Sequence, residues 1–121
     1  MKSIIFSLVI YKHKVIELKE LIQNFLLFEN YALENGINSV LLINDNSPFN
    51  NKEIANYQKN KSIFYKFNNA NLGYGKSHNY NLIYSNKFQK NDIFVIINPD
   101  ITFEYRSLFA FINEFSQSTE I

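Results

Sequence analysis

A chain of 121 residues with a formal net charge of +1 has room for one small domain and carries no basic block that would hold nucleic acid by charge. With 46% hydrophobic and 19% charged residues it should fold rather than stay disordered. The absence of cysteine excludes disulfides and thiolate metal sites and fits a reducing compartment.

Met1-Lys2-Ser3 followed by Ile4-Ile5-Phe6-Ser7-Leu8-Val9-Ile10 has the outline of a secretion signal. However, Tyr11-Lys12-His13-Lys14 stands where a small-residue cleavage site belongs. Residues 4–11 therefore read as a buried first strand, and the protein as cytosolic. No run approaches the ~20 apolar residues that a membrane-spanning helix needs. Val15, Leu18, Ile22, Phe25, Leu26 and Leu33 then recur at helical spacing among Glu17, Lys19, Glu20 and Gln23, and Gly36 supplies a stop. Short apolar runs at 40–43, 63–67 and 93–97 read, like the first, as strands buried on both faces. Between them lie a weaker helix over 52–59, with Ile54, Ala55 and Tyr57 as its apolar side, and a helix starting near Lys76. The latter carries Tyr80, Ile83, Tyr84 and Phe88 as its apolar side. A last helix spans about 105–115 and carries Leu108, Phe109, Phe111, Ile112 and Phe115, before residues 116–121 fray.

Strand-helix alternation predicts an α/β fold: an open, mostly parallel sheet with right-handed crossovers and helices on both faces. No linker, repeat or low-complexity tract divides the chain, so residues 1–121 form a single domain. The loops 44–51 and 68–76 are the longest irregular pieces. Both follow strands, at the sheet end where open α/β folds bind ligands.

Three polar segments follow strand-like runs. In Ile96-Ile97-Asn98-Pro99-Asp100 the proline ends the ladder and presents one carboxylate. Asp100 suits a hard divalent cation, Mg²⁺ or Mn²⁺, that neutralises a pyrophosphate; as an N-cap of the next helix it would sit too early. Asp45-Asn46-Ser47-Pro48 reads equally well as a turn or as an acidic contact to a ribose or nucleobase. Asn71-Leu72-Gly73-Tyr74-Gly75-Lys76-Ser77-His78-Asn79 enters a helix whose free N–H groups attract anions, with Lys76 nearby.

Gly75-Lys76-Ser77 imitates the tail of a P-loop, but Ala70 replaces the required glycine. The dinucleotide fingerprint likewise fails at His78. His13 and His78 are too few and too scattered for a zinc site, and His78 suits packing or polar support better than catalysis. No serine stands in the motif context of a catalytic triad.

Together, these segments resemble the N-terminal half of a family-2 glycosyltransferase of GT-A type, in the rhamnosyltransferase-like branch of bacterial polysaccharide enzymes. The matching pieces occur in family order: Ser7-Leu8-Val9-Ile10-Tyr11, Ile43-Asn44-Asp45-Asn46-Ser47, the segment 71–79, and Ile96-Ile97-Asn98-Pro99-Asp100. The resemblance implies that Tyr11 and Asp45, with Asn46, frame the nucleoside of a nucleotide-sugar donor. It further implies that Gly73, Lys76 and Asn79 shape the donor pocket. Asn98-Pro99-Asp100 stands where many relatives have Asp-x-Asp, so Asp100 would bind the divalent cation bridging the diphosphate. Asn98 in place of the first acid shifts the expected donor toward dTDP-rhamnose.

The implied acceptor is a surface polysaccharide, lipopolysaccharide or lipid-linked glycan, which places the enzyme in the cytoplasm or at the inner face of the membrane. Family members continue for at least as many residues again. The chain is therefore expected to be the donor-binding half, with the acceptor half absent, transfer weakened and the catalytic base unknown. Asp92 opens a strand at the wrong end of the sheet, and Glu104 is a poor base. The competing expectation is a non-catalytic nucleotide-binding or interaction remnant, pairing into a homodimer through its sheet edge.

Overall fold

The computed structural model describes residues 1–87 and 93–118. The expectations for Phe88, Asp92 and residues 119–121 lie outside them, whereas residues 116–118, expected to fray, are helical. The elements alternate: β1 (Ser3–Ile10), α1 (Val15–Glu34), β2 (Asn38–Asp45), α2 (Lys52–Ala55) running into a 3₁₀ turn (Asn56–Lys59), β3 (Ile63–Phe67), α3 (Tyr74–Ser85), β4 (Ile93–Ile97) and α4 (Tyr105–Ser118). All pairings are parallel, in the order β3-β2-β1-β4, so this is the expected α/β fold with an open sheet. Asn44 and Asp45, expected in a loop, are the last rungs of β2, with Asp45 level with Ile10 of β1.

β1 is buried along its whole length because it is central and covered on both faces. Its even-numbered side chains, Ile4, Phe6, Leu8 and Ile10, join Leu41, Ile43, Ile63 and Ile97 in one core under α1 and α4. Phe6 sits edge-on to Phe25 and Phe28, with ring centroids 5.8 and 5.0 Å away. Phe28 and Tyr31 of α1 in turn meet Phe109 of α4. α1 opens with the Lys14 amide donating to Glu17 Oε1 at 2.9 Å. It closes where Gly36, at φ +75°, lets Ile37 N–H return to Ala32 O.

Three expectations about faces are corrected. β3 and β4 are the two edge strands and neither is buried on both faces: β3 is only half-buried after Ile63, and Ile96 of β4 is 53% exposed. In α1 and α4 the residues Leu33, Phe111 and Phe115 are exposed; burial in α1 extends to Leu21, Phe28 and Ala32, while Phe109 and Ile112 of α4 are buried as expected. The largest change concerns α3, which begins at Tyr74 rather than near Lys76. Its packed side is Ser77, His78, Asn81 and Ser85, whereas Tyr80 and Ile83 are exposed, Ile83 to 70%. The physical reason lies in the sheet: on the odd-numbered face of β1 and the even-numbered face of β2, Ser7 and Asn44 interrupt the apolar strands, and a polar helix face satisfies them.

Candidate functional site

The chain leaves β1 toward β2 and β3 on one side, then crosses back to place β4 on the other side of β1. The strand order reverses between β1 and β4, and the carboxyl ends of the strands at such a switch point are the usual ligand position in open α/β sheets. A cleft of about 390 Å³ lies there, lined by Val9, Ile10 and Tyr11 from β1 and its exit, His13, Asn46, Asn71, Tyr74, and Pro99 with Asp100 after β4. Four loops therefore contribute to one lip. Because β2 and β4 both run parallel to β1, Asp45 and Asp100 emerge on that same edge of the sheet.

Asp45 stands behind the lip rather than on it. Its side chain is fully buried (0% exposed). Oδ1 accepts from the Ser47 amide at 2.9 Å and from the Ser47 hydroxyl, and Oδ2 accepts from the Tyr65 hydroxyl at 2.6 Å. The same Tyr65 oxygen accepts from the Asn51 amide at 3.1 Å. Burial, with the carboxylate beside it, holds the Tyr65 phenol well above its ordinary pKa, so it remains a donor. Ser47 Oγ also accepts from the Lys12 amide at 2.6 Å, which holds Lys12 in a left-handed conformation, φ +59°. Asp45 thus organises the wall that carries Tyr11 and His13.

Asn46 works on the opposite side of β2. Its Oδ1 accepts from the Leu72 amide at 3.3 Å and from Asn68 Nδ2 at 2.6 Å, and its Nδ2 donates to Ser77 Oγ at 2.8 Å and Gly73 O at 3.4 Å. One buried amide therefore anchors the loop 68–73 and the entry to α3. Gly73 precedes that helix at φ +84°, a conformation that favours glycine, and α3 has no side-chain cap.

Beneath the cleft runs a buried polar seam. Asn81 Nδ2 donates to Ser7 Oγ at 2.8 Å and to Leu42 O at 3.4 Å, while its Oδ1 accepts from Asn44 Nδ2 at 3.4 Å. Ser7 Oγ also lies 2.6 Å from His78 Nδ1, within hydrogen-bond distance. Among the described residues the other ring nitrogen, Nε2, has no hydrogen-bond partner. His78 is 4% exposed, and burial lowers its pKa. The sign follows from linkage: the unfolded chain takes up a proton near pH 6.5, whereas the folded chain does so only at lower pH. The stability this group contributes is complete above pH 6.5. It is lost as pH falls toward the folded pKa, with a slope of at most about 1.4 kcal/mol per pH unit for one proton. Urea unfolding between pH 5 and 8 should show this loss in the native protein and lack it in His78→Gln.

The cleft brings together Tyr11, Asn46 and Asp100 of the expected site residues. Gly73 and Asn98 flank it, each through a bond to a lining residue: Gly73 O accepts from Asn46, and Asn98 accepts from the Tyr74 hydroxyl. Lys76 and Asn79 lie on exposed faces of α3 and do not line the cleft. Tyr74, His13 and Asn71, which do, were missed. Asn71 and Tyr74 stand in the segment 71–79, but nothing local distinguishes a lining tyrosine from a surface one. Ser7 and Asn44 carried a readable signal, as single polar residues inside apolar strands.

Glu104 is not free to act as a base. It accepts from the backbone amides of Arg106 at 2.8 Å and Ser107 at 3.2 Å, capping α4, and the Arg106 bond is the main cause of its lowered pKa. Among the described residues no group of three or more His, Cys, Asp or Glu side chains could hold a metal ion. Among the described residues Asp100 is the one carboxylate lining the cleft. Such a donor set fits a Mg²⁺ or Mn²⁺ that arrives with phosphate oxygens and waters, and is too small to retain one alone. Among the described residues no helix is long and apolar enough to cross a membrane. Comparison with family models, with curated proteins and with solved structures finds no significant match.

Proposed function

We propose that the cleft binds the nucleoside diphosphate of a nucleotide sugar, and that the chain supplies the donor site of a GT-A-type, family-2 glycosyltransferase, with dTDP-rhamnose the favoured donor. The observation that carries this reading is the cleft at the β1/β4 reversal, with an aromatic ring and a lone carboxylate on its walls. Tyr11, 45% exposed, offers its ring to a base, and Asn46 supports the loop facing it. Asp100, with phosphate oxygens, would hold a divalent cation, which when bound offsets the charge of the departing diphosphate. A glycan or lipid-linked glycan would be the acceptor.

Calorimetry with dTDP and UDP, with and without Mn²⁺, tests the reading. Nucleotide binding should tighten with Mn²⁺ by a factor of about 30 or more, and Asp100→Asn should erase that gain while leaving metal-free affinity intact. Absent binding, or a Mn²⁺ gain that survives Asp100→Asn, would reject it.

A second reading, nucleotide binding without transfer, is favoured by one observation. Among the described residues, Asp45 and Glu104 are committed to structural bonds, which leaves Asp100 as the carboxylate lining the cleft. Nucleotide release from dTDP- and UDP-sugars separates the two: binding without turnover across the donor panel supports the second.

A further inference from the structure

The ladder between β1 and β4 ends at the Leu8–Ile97 pair, so the turn carrying Asp100 is already outside the sheet. Within that turn the Ile101 amide donates to Asn98 O at 3.1 Å, and Pro99 has no N–H to offer. Among the described residues, the one side-chain hydrogen bond reaching the turn from elsewhere comes from α3: the Tyr74 hydroxyl donates to Asn98 Oδ1 at 3.0 Å.

Tyr74 is itself held. Its ring stands edge-on against His78 with centroids 4.3 Å apart, and His78 is buried and bonded to Ser7 in the central strand. A chain of contacts therefore runs from β1 through His78 and Tyr74 to Asn98, two residues before Asp100. Tyr74 and Asp100 line the same cleft.

We propose that Tyr74 is a positioning residue that clasps Asn98 and thereby holds Asp100 at the cleft. This rests on the reading of Asp100 as the cation-facing carboxylate. It also gives Asn98 a role: a neutral amide accepts the phenol and leaves Asp100 as the cleft's single charge. Phenylalanine at 74 would keep the ring and its packing on His78 while removing the clasp. Alanine at 98 would remove the same bond from the other side.

Two measurements test the proposal. In the unliganded protein, the ¹⁵N order parameters of the Asp100 and Ile101 amides should fall toward the flexible range, below about 0.6, in both Tyr74→Phe and Asn98→Ala. The double variant should fall no further, because both changes remove one bond. Unchanged order parameters overturn the clasp. In the second measurement, the ratio of dTDP affinities with and without Mn²⁺ should shrink about threefold or more in Tyr74→Phe. A purely structural lesion would weaken both affinities together. A native protein that binds no nucleotide but shows the order-parameter response retains the clasp and rejects the donor reading. A native Mn²⁺ gain fully kept in Tyr74→Phe rejects the positioning role instead.

Discussion

Asp45→Ala should cost about 3–5 kcal/mol of folding stability and disturb the cleft wall that carries Tyr11. The carboxylate accepts from three donors: the Ser47 amide, the Ser47 hydroxyl and the Tyr65 hydroxyl. Hydrogen bonds to a charged acceptor are worth about 1.5–3 kcal/mol each, and donors stranded in a buried position add their desolvation. At 0% exposure no bulk water waits to replace the lost oxygens. Asp45→Asn is the informative companion. Its amide oxygen can keep both Ser47 donors, and its NH₂ can donate to Tyr65 once the phenol turns, so the cost should fall to about 1–2 kcal/mol. Urea denaturation of both variants and of Tyr65→Phe gives the values. A cost below 1 kcal/mol for the alanine variant would show that Asp45 is not the anchor the geometry makes it. The effect should reach function indirectly, because Ser47 Oγ holds the Lys12 amide and so the path of residues 11–13.

Asn46→Ala should cost about 2–4 kcal/mol and release the loop 68–73. The Leu72 amide and Asn68 lose their acceptor, and Ser77 and Gly73 lose a donor, all around a side chain that is itself buried. The loop leads into α3, where Tyr74 faces the cleft, so nucleotide affinity should fall at least tenfold, with or without Mn²⁺. This differs from Asp100→Asn, which should remove only the metal-dependent part. Limited proteolysis should open a new cut within 68–73 in Asn46→Ala. An intact loop with unchanged affinity would remove Asn46 from the support of the site.

Much of the architecture could be read directly. The runs at 63–67 and 93–97 are strands with those bounds, and Gly36 closes α1 as its position suggested. These features are local: a continuous apolar run or a left-handed glycine carries its own reason. The faces of α3 and α4 were harder. Tyr80 and Ile83 were the apolar residues of α3, yet the helix packs through His78 and Asn81, because its partners are Ser7 and Asn44. Asn81 and Ser7 are 74 positions apart, and nothing near either residue names the other. The same holds for Asp45, whose acid, turn-forming context fitted both a ligand contact and a structural role, until Tyr65 was found beside it.

Alternating apolar runs and helical stripes determined, by themselves, that this chain forms parallel strands with helices between them, and that its polar segments follow strands. Burial of backbone polar groups leaves few other ways to arrange such a pattern. Only the tertiary structure decided which polar residues are spent on one another and which are left facing the cleft. Asp45 and Asn46 are adjacent in sequence, yet one is committed to Tyr65 and Ser47 and the other to the loop before α3. That division depends on side chains meeting across the sheet at hydrogen-bond distance, a matter of register and packing that composition and spacing do not encode.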